Sequence, residues 1–528
     1  MSRSAALSLL RIMGLVVLLV ARPAGADEAA ALCPAQLEDR LEAIAAEQLS
    51  DQTRWGAMVQ PLGNDGSALY ARNPQQYFTP ASNAKLLTAA AALIHLGPDF
   101  RLSTSVYAAS SAAADFEDAS SPLALRLVGQ GDPSFTSDDL RQMAYQVSQA
   151  GITQVSHVIG DERYLGDRFI NPTWEWEDVQ SGYGAPVSSL MVDQNAIGIR
   201  LFPQTVGQPL RLEWEQPQMA SQWQVINQSA TVAPSEPEFL RVGRDWSRPV
   251  LTVQGQLRAG ADFDRSAVAV TNPSAHVLQQ FEAALRREGV AVLRPSHSRV
   301  DQPEPQPEPQ TGPALSNAQQ AIATIVSPPL SDLLVEVNAH SRNLYAESLL
   351  LHLGRQDGPG GTRAAGATGA LLLAAGLEQV RTILTPLGVT GAYQLADGSG
   401  LSRRSLVTPQ AIVQTLQAMA QHPYSAIYRS SLAIAGETGT LRSRFRGTSV
   451  AGRLWGKSGG LTGVSSLSGY LDPPGYAPLA FSLLIDHSHQ SGAARRQTLD
   501  AMVEAIAALT PCSAPGASIP SSSHLAWR

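Results

Sequence analysis

A serine and a lysine stand three positions apart in the stretch FTPASNAKLLTAAAALIHLG, residues 78–97. Ser82 and Lys85 are separated by about one helical turn, so both side chains can face the same way. Pro80 before the segment, the apolar stripe Leu86, Leu87, Ala90, Leu93 and Ile94, and Gly97 after it predict a helix over this stretch. A serine hydroxyl is a weak nucleophile until a nearby base takes its proton. A lysine amine serves as that base only if desolvation and neighbouring cations bring its pKa toward neutrality. Taken alone, the pair reads as a capping serine followed by a solvated lysine before it reads as a nucleophile with its base.

Two further motifs decide between these readings. Ser341, Arg342 and Asn343 lie where one helical segment gives way to another, in VNAHSRNLYAESLL. Lys457, Ser458, Gly459 and Gly460 lie on a predicted strand, RLWGKSG. Ser-x-x-Lys, Ser-x-Asn and Lys-(Thr/Ser)-Gly in this order mark the penicillin-recognising serine acyl-transferases. GQGDPSF (129–135), WEWEDVQSGYGAPVSSLMVDQN (174–195), DGSGLSR (397–403), AGETGTLRSRF (435–445) and GKSGGLTGVSSLSGYL extend the similarity. Over essentially the whole mature chain the sequence resembles the D-Ala-D-Ala carboxypeptidase/endopeptidase family, the class C low-molecular-mass penicillin-binding proteins. The 259 positions from Ser82 to Ser341 fit that family, which carries extra domains there.

The resemblance implies a serine-type D-Ala-D-Ala carboxypeptidase, with DD-endopeptidase cleavage as a second activity, acting on peptidoglycan stem peptides and acylated by β-lactams. Ser82 is implied as the nucleophile, Lys85 as its base and Lys457 as the cation that lowers the Lys85 pKa. Ser341 would relay a proton to the leaving D-alanine and Asn343 would hold the substrate amide. The backbone N–H groups of Ser82 and Gly460 would form the oxyanion hole. Lys457 and Ser458, followed by Gly459, would grip the terminal carboxylate. Ser458 departs from the threonine most relatives carry; it keeps the hydroxyl, so altered affinity rather than lost activity is expected. Asp178 matches a position where some relatives place a carboxylate for the amino group of a diaminopimelyl side chain, and it also reads as an ordinary acid beside Glu175 and Glu177. Arg403 in DGSGLSR reads as an exposed loop arginine before a residue bordering the cleft. A β-lactamase and a silent peptidoglycan- or penicillin-binding module are the competing readings.

The elements that position these residues follow from the rest of the chain. Its 528 residues exceed one compact core. Residues 1–26 combine Arg3 and Arg11, the ten-residue apolar run IMGLVVLLVA and the small residues AGA ending at Ala26, the order of a secretory signal peptide. An uncleaved anchor is the alternative, and no later segment approaches the length of a transmembrane helix. Export to the periplasm of the cell envelope is therefore expected. Loss of Arg3, Arg11 and Arg22 moves the formal charge from −7 to −10, which argues against nucleic acid as a partner. Cys33 and Cys512 could form one disulfide closing almost the whole chain, or remain two thiols.

The expected fold class is α+β: a penicillin-recognising serine transpeptidase/β-lactamase-like domain, an antiparallel sheet flanked by helices, with a large, mostly β inserted region. Residues 27–100 and 321–512 form the discontinuous catalytic domain, and residues near 174–200 return to it. Residues 101–300 are β-rich, 301–320 a Pro-rich exposed linker containing DQPEPQPEPQTGP, and 513–528 a flexible tail. His487 and His489 form an isolated His-x-His without a third ligand, so neither metal nor cofactor is expected. GQGDPSF lacks the strand–helix unit and last glycine of a dinucleotide site. Tryptophans 174, 176, 214, 223 and 246 read as packing residues before glycan contacts.

Overall fold

The computed structural model describes residues 31–63, 67–109, 123–166, 169–299, 320–355 and 368–512. The signal segment, the Pro-rich linker and the tail after Cys512 lie outside these residues, apart from position 320.

VSSLSGYL and LAFSLLID are nearly continuous apolar or small-residue runs, the pattern of strands covered on both faces. Strands Val464–Leu471 and Leu479–Asp486 are buried at every position. They lie inside a six-stranded antiparallel sheet whose spatial order is Ala433–Ile434, Leu454–Leu461, Val464–Leu471, Leu479–Asp486, Arg54–Pro61 and Tyr70–Arg72. The N-terminal hairpin therefore pairs with the last strand, Arg54 opposite Asp486 and Pro61 opposite Leu479. One sheet is built from both ends of the chain.

Alternation along the strands feeds two cores. Phe481, Leu483 and Ile485 face the first helix, α1 (Leu37–Gln48), and the last, Gly492–Ala507, together with Leu41, Ile44, Met502 and Ile506. Ala480 and Leu484 face the opposite layer. That layer is built around α2 (Ala84–Leu96), with Leu334, Leu350, Ile412 and Leu416 from later helices. Helix α2 departs from the amphipathic expectation, because Ala84 through Leu93 are all buried. Its run of alanines leaves room for neighbours on every side, the condition of a central helix. Gly97 ends it with φ 80.

Strand Ser103–Ala108 opens the inserted region and pairs antiparallel with Ala323–Val326, which closes it. The region also carries two helices that its β-branched runs and tryptophans concealed, α3 (Ser137–Gln149) and α4 (Pro273–Arg287). Both starts are encoded locally. Thr136 and Asp139 form a capping box, and Asn272 caps a helix with proline in its first turn. The helices pack Leu140, Met143, Val147, Leu278 and Phe281 onto a five-stranded sheet. A second core, with Ile199, Leu201, Leu251 and Val253, joins two three-stranded sheets.

Cys33 and Cys512 are bonded, with Cα atoms 4.9 Å apart. The alternative of two thiols is set aside. Leu32 bridges Leu509 alongside, so the paired terminal helices bring the cysteines together. The expectation about membrane-length segments needs correction. The helical stretch Gly369–Leu387 spans 19 residues at mean hydropathy 1.2, enough by length and composition alone to cross a bilayer. It packs tightly on the helix Asn343–Arg355, since a Cβ on Gly376 would lie 2.2 Å from the Leu350 carbonyl oxygen.

Candidate active site

Ser82 sits in a single 3-10 turn, Ala81–Asn83, that leads into α2. Ala81 before it has φ 47, a left-handed conformation rare for a residue with a side chain. The surroundings hold this turn. Ser466 Oγ donates to the Pro80 carbonyl at 2.8 Å, and Asn83 Nδ2 donates to Ser468 Oγ at 2.7 Å. Gly459 explains the closeness of the Lys-Ser-Gly strand, because a Cβ there would lie 2.9 Å from the Ser82 nitrogen and 2.2 Å from Ser466 Oγ. Only a glycine lets the strand pass so near the serine.

The one-turn spacing places Lys85 Nζ 2.9 Å from Ser82 Oγ. The amine also donates to Asn343 Oδ1 at 2.7 Å and to the Ser399 carbonyl at 2.8 Å. Asn343 is oriented by an opposite partner, since its Nδ2 donates to the Tyr183 carbonyl at 3.0 Å. A neutral amine has two N–H donors and one lone pair. Asn343 Oδ1 and the Ser399 oxygen can only accept, so they occupy both donors and leave the lone pair for the Ser82 proton.

Lys85 is fully buried, and desolvation brings its pKa down to about 7, against the opposing charges of Asp397 and Glu347. The sequence pointed to desolvation together with a neighbouring cation, Lys457 being the candidate. Burial proves the larger cause, and the repulsion between the lysines appears at Lys457, held well below the ordinary range by burial and then by Lys85. Lys457 Nζ donates to Ser341 Oγ at 2.8 Å and to the Ser458 carbonyl at 2.9 Å. Ser341 has φ 61, so this motif too is held in a left-handed turn, between the helices Leu330–Asn338 and Asn343–Arg355.

Glu347 escaped the sequence analysis, and Asp397, Ser399 and Gly400 of DGSGLSR were given no role there. Glu347, buried, accepts from the backbone N–H groups of Gly398 and Ser399 at 3.1 and 2.8 Å. Desolvation first, and Asp397 second, push its carboxyl up to about 8. Asp397 accepts from the N–H groups of Gly400 and Ser402 and from the Trp174 indole. Together they fix the turn that aims the Ser399 carbonyl at Lys85. Gly400, at φ 76, lets that turn touch α2, since a Cβ would lie 1.8 Å from the Ala81 oxygen. The available signal was the position of Glu347 four residues after Asn343, on one helix face.

Segment 174–184 reaches the site. Tyr183 lines a cavity of about 640 Å³ together with Ser341, Arg342 and Asn343. Asp178 stands one residue further back. Its Oδ1 accepts from the Tyr183 hydroxyl at 3.0 Å, and burial raises its pKa. Arg403, read as a solvated loop residue, is half-buried; it pairs with Glu175 at 2.8 Å and donates to the Thr462 carbonyl at 3.0 Å. Ser458 Oγ is 2.8 Å from Thr440 Oγ1, and Gly460 is exposed on the rim. Among the described residues no cluster of three or more His, Cys, Asp or Glu could hold a metal ion.

A sheet built from both termini, with a serine–lysine pair on the central helix and a second lysine on the adjoining strand, defines a penicillin-recognising serine hydrolase fold. The D-Ala-D-Ala carboxypeptidase 3 (S13) family model matches residues 37–509, and the chain belongs to that family. It is 31% identical to the D-alanyl-D-alanine carboxypeptidase of Actinomadura sp. (strain R39) over 515 residues, covering 95% of this chain and 89% of that protein. It is 24% identical to the D-alanyl-D-alanine carboxypeptidase DacB of Haemophilus influenzae, over 77% of this chain and 80% of that one. The crystal structure of penicillin binding protein 4 from Haemophilus influenzae is similar in fold, with TM-score 0.69, 22% identity, and coverage of 88% of this chain and 98% of that one. The chain is a hydrolase of the D-Ala-D-Ala carboxypeptidase type.

Proposed function

We propose that Ser82 attacks the carbonyl of the penultimate D-alanine in a peptidoglycan stem peptide and that Lys85 accepts its proton. The observation that carries this is the buried Lys85 amine, with a pKa of about 7, 2.9 Å from Ser82 Oγ, its other two directions taken by acceptors. The tetrahedral oxygen is received by the N–H groups of Ser82 and Gly460, and the N-terminus of α2 favours negative charge there. Ser341, held by Lys457, relays a proton to the departing amine as the C–N bond breaks. Asn343 holds the substrate amide, and Lys457 with Ser458 receives the terminal carboxylate. Water then cleaves the acyl-Ser82 ester, with Lys85 again taking a proton. β-Lactams follow the first half of this course and remain on Ser82.

Asp178 and Tyr183 are proposed to receive the amino group of the third stem residue. Its ammonium would restore the charge that burial of Asp178 opposes. That contact would favour stem peptides whose third residue carries a free amino group. Residues 1–26 support action in the periplasm, beyond the inner membrane.

The test is intact-protein mass spectrometry before and after incubation with benzylpenicillin. Wild type is expected to gain one penicillin mass and Ser82→Ala none. Rapid turnover of the antibiotic would favour a β-lactamase. Neither adduct nor turnover would favour a silent binding module.

A further inference from the structure

The strand that carries Lys457 offers the proposed carboxylate subsite one hydroxyl, that of Ser458. A second stands beside it. Thr440 Oγ1 lies 2.8 Å from Ser458 Oγ on the exposed rim. Thr440 belongs to the turn Gly439–Leu441, which is fixed on two sides. Its N–H donates to the Ala339 carbonyl at 3.0 Å, two residues before Ser341. Next to it, Leu441 is fully buried in the core under the sheet. Gly439, at φ 56, permits the approach, since a Cβ there would lie 2.3 Å from the Ala339 oxygen. The turn thus ties the segment leading to Ser341 to the Lys-Ser-Gly strand, and presents its hydroxyl at a defined place.

We propose that Thr440 is a specificity-determining residue whose hydroxyl, with that of Ser458, binds the two oxygens of the substrate's terminal carboxylate. This rests on the acyl-serine reading above. Each hydroxyl has one donor. With no ligand, one of them spends its donor on the other. A carboxylate only accepts, so its arrival turns both donors outward onto two oxygens, and hydrogen bonds to an ionised acceptor are the strong ones. The 2.8 Å separation suits the two oxygens of one carboxylate. Lys457, bonded to the Ser458 carbonyl, lies immediately behind. An ester or amide lacks the charge and keeps only one good acceptor, so the pair of hydroxyls selects for a free carboxyl end.

The experiment measures the acylation rate of the full mature protein by benzylpenicillin and by its methyl ester, and takes the acid-to-ester ratio. In Thr440→Val, which keeps the shape and removes the hydroxyl, the ratio is expected to fall about tenfold or more. Thr440→Ser is expected to keep it near the wild-type value. A ratio unchanged in Thr440→Val, whether both rates fall together or neither does, would overturn the assignment, because a merely structural role moves acid and ester alike. Failure of the underlying reading looks different: wild-type protein would then take up neither compound on Ser82.

Discussion

The lysines of the cleft and the Arg265–Glu215 pair of the inserted region handle charge in opposite ways. In the cleft Lys85 and Lys457 are fully buried, and Glu347 and Asp397 are buried with them. In the inserted region Asp161 is buried too, against Arg163 at 2.6 Å, but other charges meet at the surface: Arg265 pairs with Glu215 at 2.6 Å while its side chain stays 71% exposed. Exposed pairs sit in high dielectric and contribute little, whereas a buried charge must change its proton affinity or find partners. The first arrangement makes a lysine that can act as a base near neutrality. The second makes a soluble surface.

The largest expected break is at the base. Lys85→Ala should lower the rate of acylation by penicillin by about 10²–10⁴-fold, the usual range for a positioned acid–base group, read by stopped-flow. A fall below tenfold would remove Lys85 from that role. In the wild type the reactive form is the neutral amine, so the acylation rate should be low in acid and rise as pH increases through about 7. A rate that rises only near pH 10 would mean that burial has not lowered this pKa.

The next effect sharpens the comparison within the cleft. An ionised Glu347 would favour the protonated form of Lys85, but burial pushes its carboxyl up to about 8, so it is mostly uncharged while Lys85 titrates. Glu347→Gln keeps an acceptor for Gly398 and Ser399, so the rising limb of the pH–rate profile should stay in place. A limb that moves to lower pH would show that Glu347 carries charge beside Lys85. At the small end, Glu215→Gln in the inserted region should leave both the acylation rate and the denaturation midpoint unchanged within error. A clear loss of acylation would connect that exposed pair to the cleft, and the contrast between the regions would fail.

The two ends of the chain were legible because they repeat simple periods. VSSLSGYL and LAFSLLID are continuous enough to be strands, and one helical turn makes Ser82 and Lys85 neighbours. The helices Ser137–Gln149 and Pro273–Arg287 were missed in a region judged by its β-branched runs, although Thr136, Asp139 and Asn272 announce their starts. Glu347 and Ser399 were missed for a different reason. One is a helix acid and the other a loop serine, and neither type signals a role before the fold joins them.

The sequence by itself determined the chemistry on offer: a serine and lysine on one face of a helix, an Asn-bearing turn, a glycine-flanked lysine on a strand, and two cysteines near the ends. Tertiary structure alone decided that Asn343 and Ser399, 258 and 314 positions from Lys85, both accept hydrogen bonds from its amine. It decided too that Cys33 and Cys512 bond, and that burial rather than Lys457 is the main cause of the lowered Lys85 pKa. Helical and strand periods are local and can be read from neighbours in the chain. Desolvation and the closing of long loops depend on which distant segments pack together, and no single stretch of sequence contains them.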